Sequence, residues 1–71
     1  MYRLTCAAVE NGDDNIFYST TGRSLHGMKC RGTKMCRDYG SCNGVLTRYV
    51  IEQIDNEYAL GDVVFKKTIK R

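Results

Sequence analysis

Three cysteines and the single histidine are the residues whose types and spacing suggest chemistry. Cys30, Cys36 and Cys42 are separated by five residues each, and His26 lies four residues before the first of them. Thiolates and an imidazole suit a tetrahedral zinc ion, which would stabilise so short a chain. Zinc sites, however, usually begin with cysteines two to four residues apart, because a tight turn aims both sulfurs at one point. We therefore expect no cofactor, and zinc held by His26, Cys30, Cys36 and Cys42 is the disfavoured alternative.

The fourth cysteine, Cys6, lies in a stretch of alternating apolar residues, where a thiol is typically a small buried hydrophobe. Four cysteines allow three disulfide connectivities. The N-terminal residues 1–14 contain only a short apolar stretch, which is not typical of a secretory signal. The sequence therefore predicts reduced thiols and a cytoplasmic protein.

Two further patterns resemble catalytic or nucleotide-binding motifs without matching them. Residues 27–34 read G-x4-G-T-K, whereas a P-loop needs G-x4-G-K-[ST]. The order matters because the lysine must reach the β- and γ-phosphates while the next hydroxyl binds Mg²⁺. A Cys–His pair would require His26 and Cys30 on one helical face, and Gly27 argues against a helix there. We therefore expect His26 on a surface loop and predict that the chain is not an enzyme.

The charge of the chain is mild, but it is unevenly distributed. Eleven Lys and Arg residues outnumber eight Asp and Glu, giving a net charge of +3. Basic residues concentrate in segment 23–37 and at the C-terminus, while acidic residues gather in 10–14 and 52–57. If the basic segments meet in space, they attract phosphate or an acidic partner; the alternative is a solvated surface that only keeps the protein soluble.

Tyrosines beside basic residues add a second possible contact, since a tyrosine stacks on bases or anchors a protein interface. The candidate residues for binding a partner or a nucleic acid are Arg23, Lys29, Arg31, Lys34, Arg37, Tyr39, Arg48, Lys66, Lys67 and Lys70.

The two ends of the chain have the period of β-strands. Apolar residues alternate over 2–8, turn formers fill 10–15, and 16–20 is rich in β-formers, which predicts a hairpin with a loop longer than two residues. Residues 63–70 alternate again after a Gly-Asp turn, with lysines typical of an edge strand. Residues 58–60 would pair with this strand as a tight hairpin.

The centre of the chain is less regular. Segment 21–43 is rich in glycine and is expected to be largely irregular, with a helical turn over 34–39 between Thr33 and Gly40 as caps, or a strand near 25–30. Segment 45–54 has apolar residues at helical spacing but also many β-branched residues. We favour a helix there, with a strand as the alternative.

These patterns predict one compact domain over 1–71 of the α+β class. An N-terminal hairpin and a C-terminal strand or hairpin form an antiparallel sheet, covered by one helix over 41–54. The alternative is a small all-β barrel. A hydrophobic fraction of 42% is too high for a disordered chain. The sequence contains no apolar run of 18 residues, so it does not predict a transmembrane helix.

Function follows only in outline from this reading. We expect a small non-catalytic accessory protein that regulates or inhibits a protein partner, of the kind that phages and mobile elements encode, with no membrane association. One alternative is a nucleic-acid-binding module that uses segment 23–37 and the lysine-rich C-terminus. The other is a small zinc-stapled domain.

Overall fold

A computed structural model of the chain describes residues 1–56, 58 and 60–70. This part of the chain folds as an antiparallel sheet of four strands with one helix on one face. In chain order the elements are β1 (Tyr2–Glu10), β2 (Asp13–Gly22), α1 (Leu25–Asn43), β3 (Leu46–Gln53) and β4 (Asp62–Ile69). The strand order is β2-β1-β3-β4, with β2 and β4 at the edges. The predicted α+β class is confirmed, and because the sheet is open the barrel alternative is wrong.

The N-terminal hairpin forms as predicted, but its loop is shorter than expected. Asn11 and Gly12 alone connect the strands, with φ of 54° and 83°. Both central residues of a type I′ turn need positive φ, and Asn-Gly is the pair that adopts it most readily. The surrounding Glu10 and Asp13 are strand residues that pair with each other.

Helix α1 corrects the expectation for segment 21–43. It begins after Ser24, whose Oγ accepts a hydrogen bond from the Gly27 backbone N–H at 3.0 Å. It ends at Gly44, which has a φ of 65° and donates its N–H to the Gly40 carbonyl at 2.8 Å. The expected caps at Thr33 and Gly40 are wrong, and so is the alternative of a strand over 25–30. Each internal glycine destabilises an isolated helix by about 1 kcal/mol, so the sequence of this segment has a low helix propensity. Packing on the sheet stabilises the helix despite these glycines.

The helix predicted over 45–54 is wrong, because this segment contains β3. Thr47, Tyr49 and Ile51 are almost completely buried, and Arg48 between them is exposed. Such alternation is the period of a strand with one covered face, and it suits the β-branched residues that a helix disfavours. The helix that covers the sheet is therefore α1, earlier in the chain than the predicted 41–54.

The core lies between α1 and the two central strands. Leu4 pairs with Ile51 and Cys6 pairs with Tyr49 across β1 and β3, and all four side chains are at most 1% exposed. From the helix, Met28 and Cys36 join the same cluster, so the predicted burial of Cys6 is confirmed. Full burial of an apolar side chain contributes about 1.5–3 kcal/mol each, which makes these few contacts decisive in a domain of this size.

Glycines on the inner face of α1 set its distance from the sheet. A Cβ at Gly32 would lie 2.6 Å from Cδ2 of Tyr49, closer than real side-chain contacts allow. A Cβ at Gly40 would lie 2.9 Å from the carbonyl oxygen of Val45. One turn before Gly40, the Thr47 hydroxyl donates to the Cys36 carbonyl at 2.9 Å. The helix backbone therefore rests directly on β3 side chains.

The C-terminal strand β4 also forms as predicted, and it pairs with β3. A register shift opposite Ile51 and Glu52 leaves Val64 as an extra residue, after which Phe65 to Ile69 pair regularly. Of the tight hairpin expected at 58–60, Tyr58 and Leu60 lie outside any strand, and Ala59 lies outside the described residues. None of the described residues belongs to a helix with the length and hydropathy that crossing a membrane requires.

The close approach at Gly32 predicts opposite effects for alanine at two positions of α1. Gly32→Ala is expected to lower the free energy of unfolding by about 1–3 kcal/mol, because the new methyl group meets the buried Tyr49 ring. Gly27→Ala is the matched control: its Cβ would be 3.4 Å from Ser24, an ordinary contact, so alanine should stabilise by about 0.5–1 kcal/mol. Urea unfolding followed by circular dichroism measures both. Equal stability of the two variants would contradict this account of the packing.

Candidate binding groove between helix α1 and strand β4

A groove runs along the side of α1 that faces the edge strand β4. The helix packs mainly on β1 and β3, so its flank and β4 form two walls that do not close on each other. Tyr49 and Phe65 contribute the aromatic lining of the first cavity, which has a volume of about 580 Å³. A second cavity of about 510 Å³ adjoins it at Arg37 and continues to Ile69 and Lys70. We call the two cavities together the α1–β4 groove.

The α1–β4 groove is positively charged. Its lining includes three cationic side chains from α1 and two from the C-terminal segment: Lys29, Lys34, Arg37, Lys67 and Lys70. Asp38 is the only acidic residue among those that line it. In the described part of the chain none of the five cations forms an ion pair. The structure thus brings parts of both basic segments to one place, where their fields add.

One of these cations is held against the aromatic lining. The Lys29 ammonium lies 4.4 Å above the ring centre of Phe65, a cation–π contact. Beneath it, the hydroxyl groups of Thr33 and Tyr49 are 3.0 Å apart and share a hydrogen bond. The inner end of the groove is therefore ordered, while Lys34, Arg37 and Lys67 are exposed to solvent.

The other predicted binding residues lie away from the groove. Arg31 faces β2 and donates to the Tyr18 hydroxyl at 3.0 Å, and Arg23 precedes α1. Arg48 lies on the uncovered face of the sheet, where it holds Asp14 through two nitrogens at 2.6–2.9 Å. Lys66 pairs with Val50 on that same face. The predicted binding residues are thus divided between the two faces of the sheet, and on the helix face only some of them line the groove.

Neither Tyr39, which is one of the predicted binding residues, nor Tyr49, the neighbour of Arg48 in the chain, has both faces of its ring free. Tyr39 is stacked on Phe17 with ring centres 4.0 Å apart and planes 8° from parallel. Tyr49 is 1% exposed and lies in the core. Phe17 is the extra residue of a bulge in β2, which directs both it and Tyr18 toward the helix. Aromatic contacts therefore occupy much of the β2 side of α1, in contrast to the β4 side.

The cysteines and the histidine are spread along the helix rather than gathered. His26 and Cys30 are one turn apart on α1, with Nε2 3.6 Å from Sγ, so the expectation that Gly27 prevents their meeting is wrong. His26 is exposed, but it lies in the helix rather than in the expected loop. Cys36 is buried against the sheet, and Cys42 is exposed near the end of the helix. At 1.5 Å of rise per residue, Cys30 and Cys42 are separated by about 18 Å along the axis. Among the described residues no three His, Cys, Asp or Glu side chains form a group suited to a metal ion.

The two buried thiols, Cys6 and Cys36, contact each other between β1 and α1. A hydrogen bond with Cys36, together with burial, raises the pKa of the Cys6 thiol. Cys6 is therefore a neutral thiol at physiological pH, since the thiolate would lie in an apolar core without water. Reactive thiol chemistry is confined to the exposed pair, Cys30 and Cys42.

A cluster of exposed apolar residues at the start of β4 was missed by the sequence reasoning. Tyr58, Leu60, Val63 and Val64 are exposed by 91%, 95%, 57% and 42%. They are four of the six large hydrophobic side chains that are exposed in the described part of the chain. The backbone at Gly61 lies close to the end of β3. Only glycine permits this approach, because a Cβ there would clash with the Gln53 carbonyl oxygen. The signal in the sequence was the density of apolar residues just before the lysines, which the sequence reasoning interpreted only as a hairpin and an edge strand.

The burial of the cysteines predicts the order in which they react. A dianionic disulfide reagent should modify two thiols in the folded protein and four after unfolding, because Cys6 and Cys36 are 0% exposed. Cys30 should react several times faster than Cys42, since cations surround Cys30 whereas Asp38 lies beside Cys42. Cys30→Ser and Cys42→Ser variants separate the two rates in a spectrophotometric assay. A neutral alkylating reagent is the control, and with it the ratio of the Cys30 rate to the Cys42 rate should be smaller. The same ratio of rates with both reagents would contradict the electrostatic explanation.

No model of a protein family, no curated protein and no solved structure matches this chain.

Proposed function

We propose that this protein is a small non-catalytic regulator or inhibitor that binds a protein partner through its β4 side. The binding surface consists of the α1–β4 groove and the exposed apolar residues of segment 58–64. It requires no cofactor. The partner's complementary surface is acidic, with apolar residues beside the acidic ones.

The observation that carries this proposal is the combination of apolar and basic character along the β4 edge of the molecule, with Val63 on the opposite face of the sheet from the groove. Exposed apolar residues cluster at the start of β4, and unpaired cations line the groove along the rest of the strand. Exposed apolar residues that lie close together favour a protein interface, because one partner can remove all of them from water at the same time. The cations select among apolar partners, since a basic or neutral surface would leave them desolvated and unpaired.

A nucleic-acid partner fits this surface less well. Phosphates would satisfy the groove cations, but single-stranded bases need free aromatic faces beside those cations. Of the two aromatic rings that line the groove, Tyr49 is buried and Phe65 is covered by the Lys29 ammonium. Exposed Leu60, Val63 and Val64 have no role in contacts with a phosphate backbone. The apolar cluster therefore favours protein over nucleic acid.

Charge reversal in the groove tests the proposal. The wild-type protein, immobilised and exposed to an extract of its source cells treated with nuclease, is expected to retain a specific protein partner. The double variant Arg37→Glu with Lys67→Glu should weaken binding of that partner by about tenfold or more, because both cations line the groove. Titration of the purified partner by calorimetry gives the affinities.

The matched control reverses exposed charges outside the groove. Arg23→Glu with Arg31→Glu changes the net charge by the same amount, and neither residue lines the groove; affinity should change less than about threefold. Equal losses in both double variants would contradict binding at the groove. Tight binding of an unrelated DNA duplex at about 50 mM salt that falls steeply with salt would support the nucleic-acid alternative instead.

A further inference from the structure

The outer edge of β4 is a strand edge without a partner in the described part of the chain. β4 pairs with β3 on one side only, and the sheet order ends there. From Phe65 to Ile69 the pairing is regular, so the backbone N–H and C=O groups on the outer side follow the spacing of a normal strand. Such an edge is a template on which an extended chain can add.

The groove lies directly beside this edge. Phe65, Lys67 and Ile69 pair with inward-facing residues of β3 and so project to the helix side of the sheet. All three line the groove. A fifth strand next to β4 would therefore direct every second side chain into the space under the flank of α1.

We propose that the protein binds an extended acidic segment of its partner, which adds to β4 as a fifth strand. This proposal rests on the proposed function and specifies the form of the partner. Carboxylates on the helix side of the added strand meet the five groove cations, Lys29, Lys34, Arg37, Lys67 and Lys70. On its other side, the added strand lies next to Lys66 and Thr68, and next to the exposed Val63 at the start of β4, where an apolar residue is favourable.

Charge explains why the added strand is acidic. Cross-strand neighbours of opposite charge are favourable, and like charges directly opposite are unfavourable. Lys66 and Lys67 project from opposite faces of β4, so a strand carrying lysine or arginine is disfavoured on either face. The same lysines disfavour pairing between the β4 edges of two copies of this protein, a common use of lysine on edge strands. An acidic strand is the kind that this edge accepts.

The opposite edge of the sheet lacks these features. β2 carries no Lys or Arg, and its acidic residues Asp13 and Asp14 would repel an acidic strand. Its bulge at Phe17 interrupts the ladder near the middle of the strand. On that side of α1 the cavity that the stack of Phe17 on Tyr39 borders is smaller, about 290 Å³. The inference is therefore specific to β4.

A peptide of eight residues that alternates glutamate with valine is the probe for this inference. Labelled with a fluorophore and titrated with the full chain at low salt, it should bind, and the Arg37→Glu, Lys67→Glu variant should bind it about tenfold more weakly. The control variant Arg23→Glu, Arg31→Glu should bind it within about threefold of the wild type. The same peptide with lysine in place of glutamate should show no binding.

Backbone methylation separates strand addition from simple charge attraction. In a strand, alternate N–H groups point to the same side, so N-methylation of one alternate set blocks the edge that faces β4 while the charge is unchanged. Methylation of one set should abolish binding, and methylation of the other should leave it within about threefold. Hydrogen exchange followed by NMR should show slower exchange of the β4 amides that point away from β3 when the unmodified peptide is bound.

The outcomes distinguish this inference from the function on which it rests. Binding that is lost on charge reversal but is insensitive to both methylations, with unchanged exchange in β4, overturns strand addition and leaves an acidic partner in the groove. Absence of binding by the unmodified peptide also overturns strand addition. Equal capture of the partner by the groove variant and the wild type overturns the proposed function itself.

Discussion

The direct contact between the helix backbone and the side chains of β3 is the constraint on which the rest of this structure depends. Gly32 lies on the ring of Tyr49 and Gly40 lies on the start of β3, with Cys36 between them. Larger residues at these positions would lift α1 from the sheet and open the core between Leu4, Cys6 and Ile51. In a chain of 71 residues few other apolar contacts exist to compensate, so the packing of one helix on two strands determines whether the domain folds.

The same geometry produces two different flanks. A helix placed over the central strands leaves both edge strands partly uncovered, and each side is completed by what the chain supplies. On the β2 side, a bulge turns Phe17 and Tyr18 inward to meet Tyr39 and Arg31. On the β4 side, Phe65 and Ile69 pack against the core, and five cations are among the other side chains that line the groove. Asymmetry of composition between two geometrically similar flanks thus gives the molecule one side suited to binding.

The expectations that failed have two different causes. Asn11-Gly12 is the strongest local signal for a two-residue turn, yet the polar residues around it suggested a longer loop. The glycines of α1 suggested an irregular segment, because glycine disfavours a helix. Their role is to leave room for Tyr49 and Val45, and this role is not visible locally because both residues are distant in sequence. Segment 45–54 had apolar residues compatible with either period, and burial against α1 selected the strand. For the helix and for segment 45–54 the local pattern was ambiguous and a contact between distant residues decided the outcome, whereas the hairpin loop followed its local Asn-Gly signal.

The sequence by itself determined the α+β class, the N-terminal hairpin, the C-terminal strand and the burial of Cys6, because alternation and turn residues act over a few neighbouring positions. It also identified the groove cations, although among others that lie elsewhere. Only the tertiary structure decided that Lys29, Lys34 and Arg37 face Lys67 and Lys70 while Arg48 binds Asp14 on the opposite face. It alone decided that Tyr39 is stacked, that Tyr49 is buried and that Tyr58, Leu60, Val63 and Val64 are exposed. These features depend on which strand pairs with which and on which side of the sheet the helix lies, and the residues that fix both are far apart in the chain.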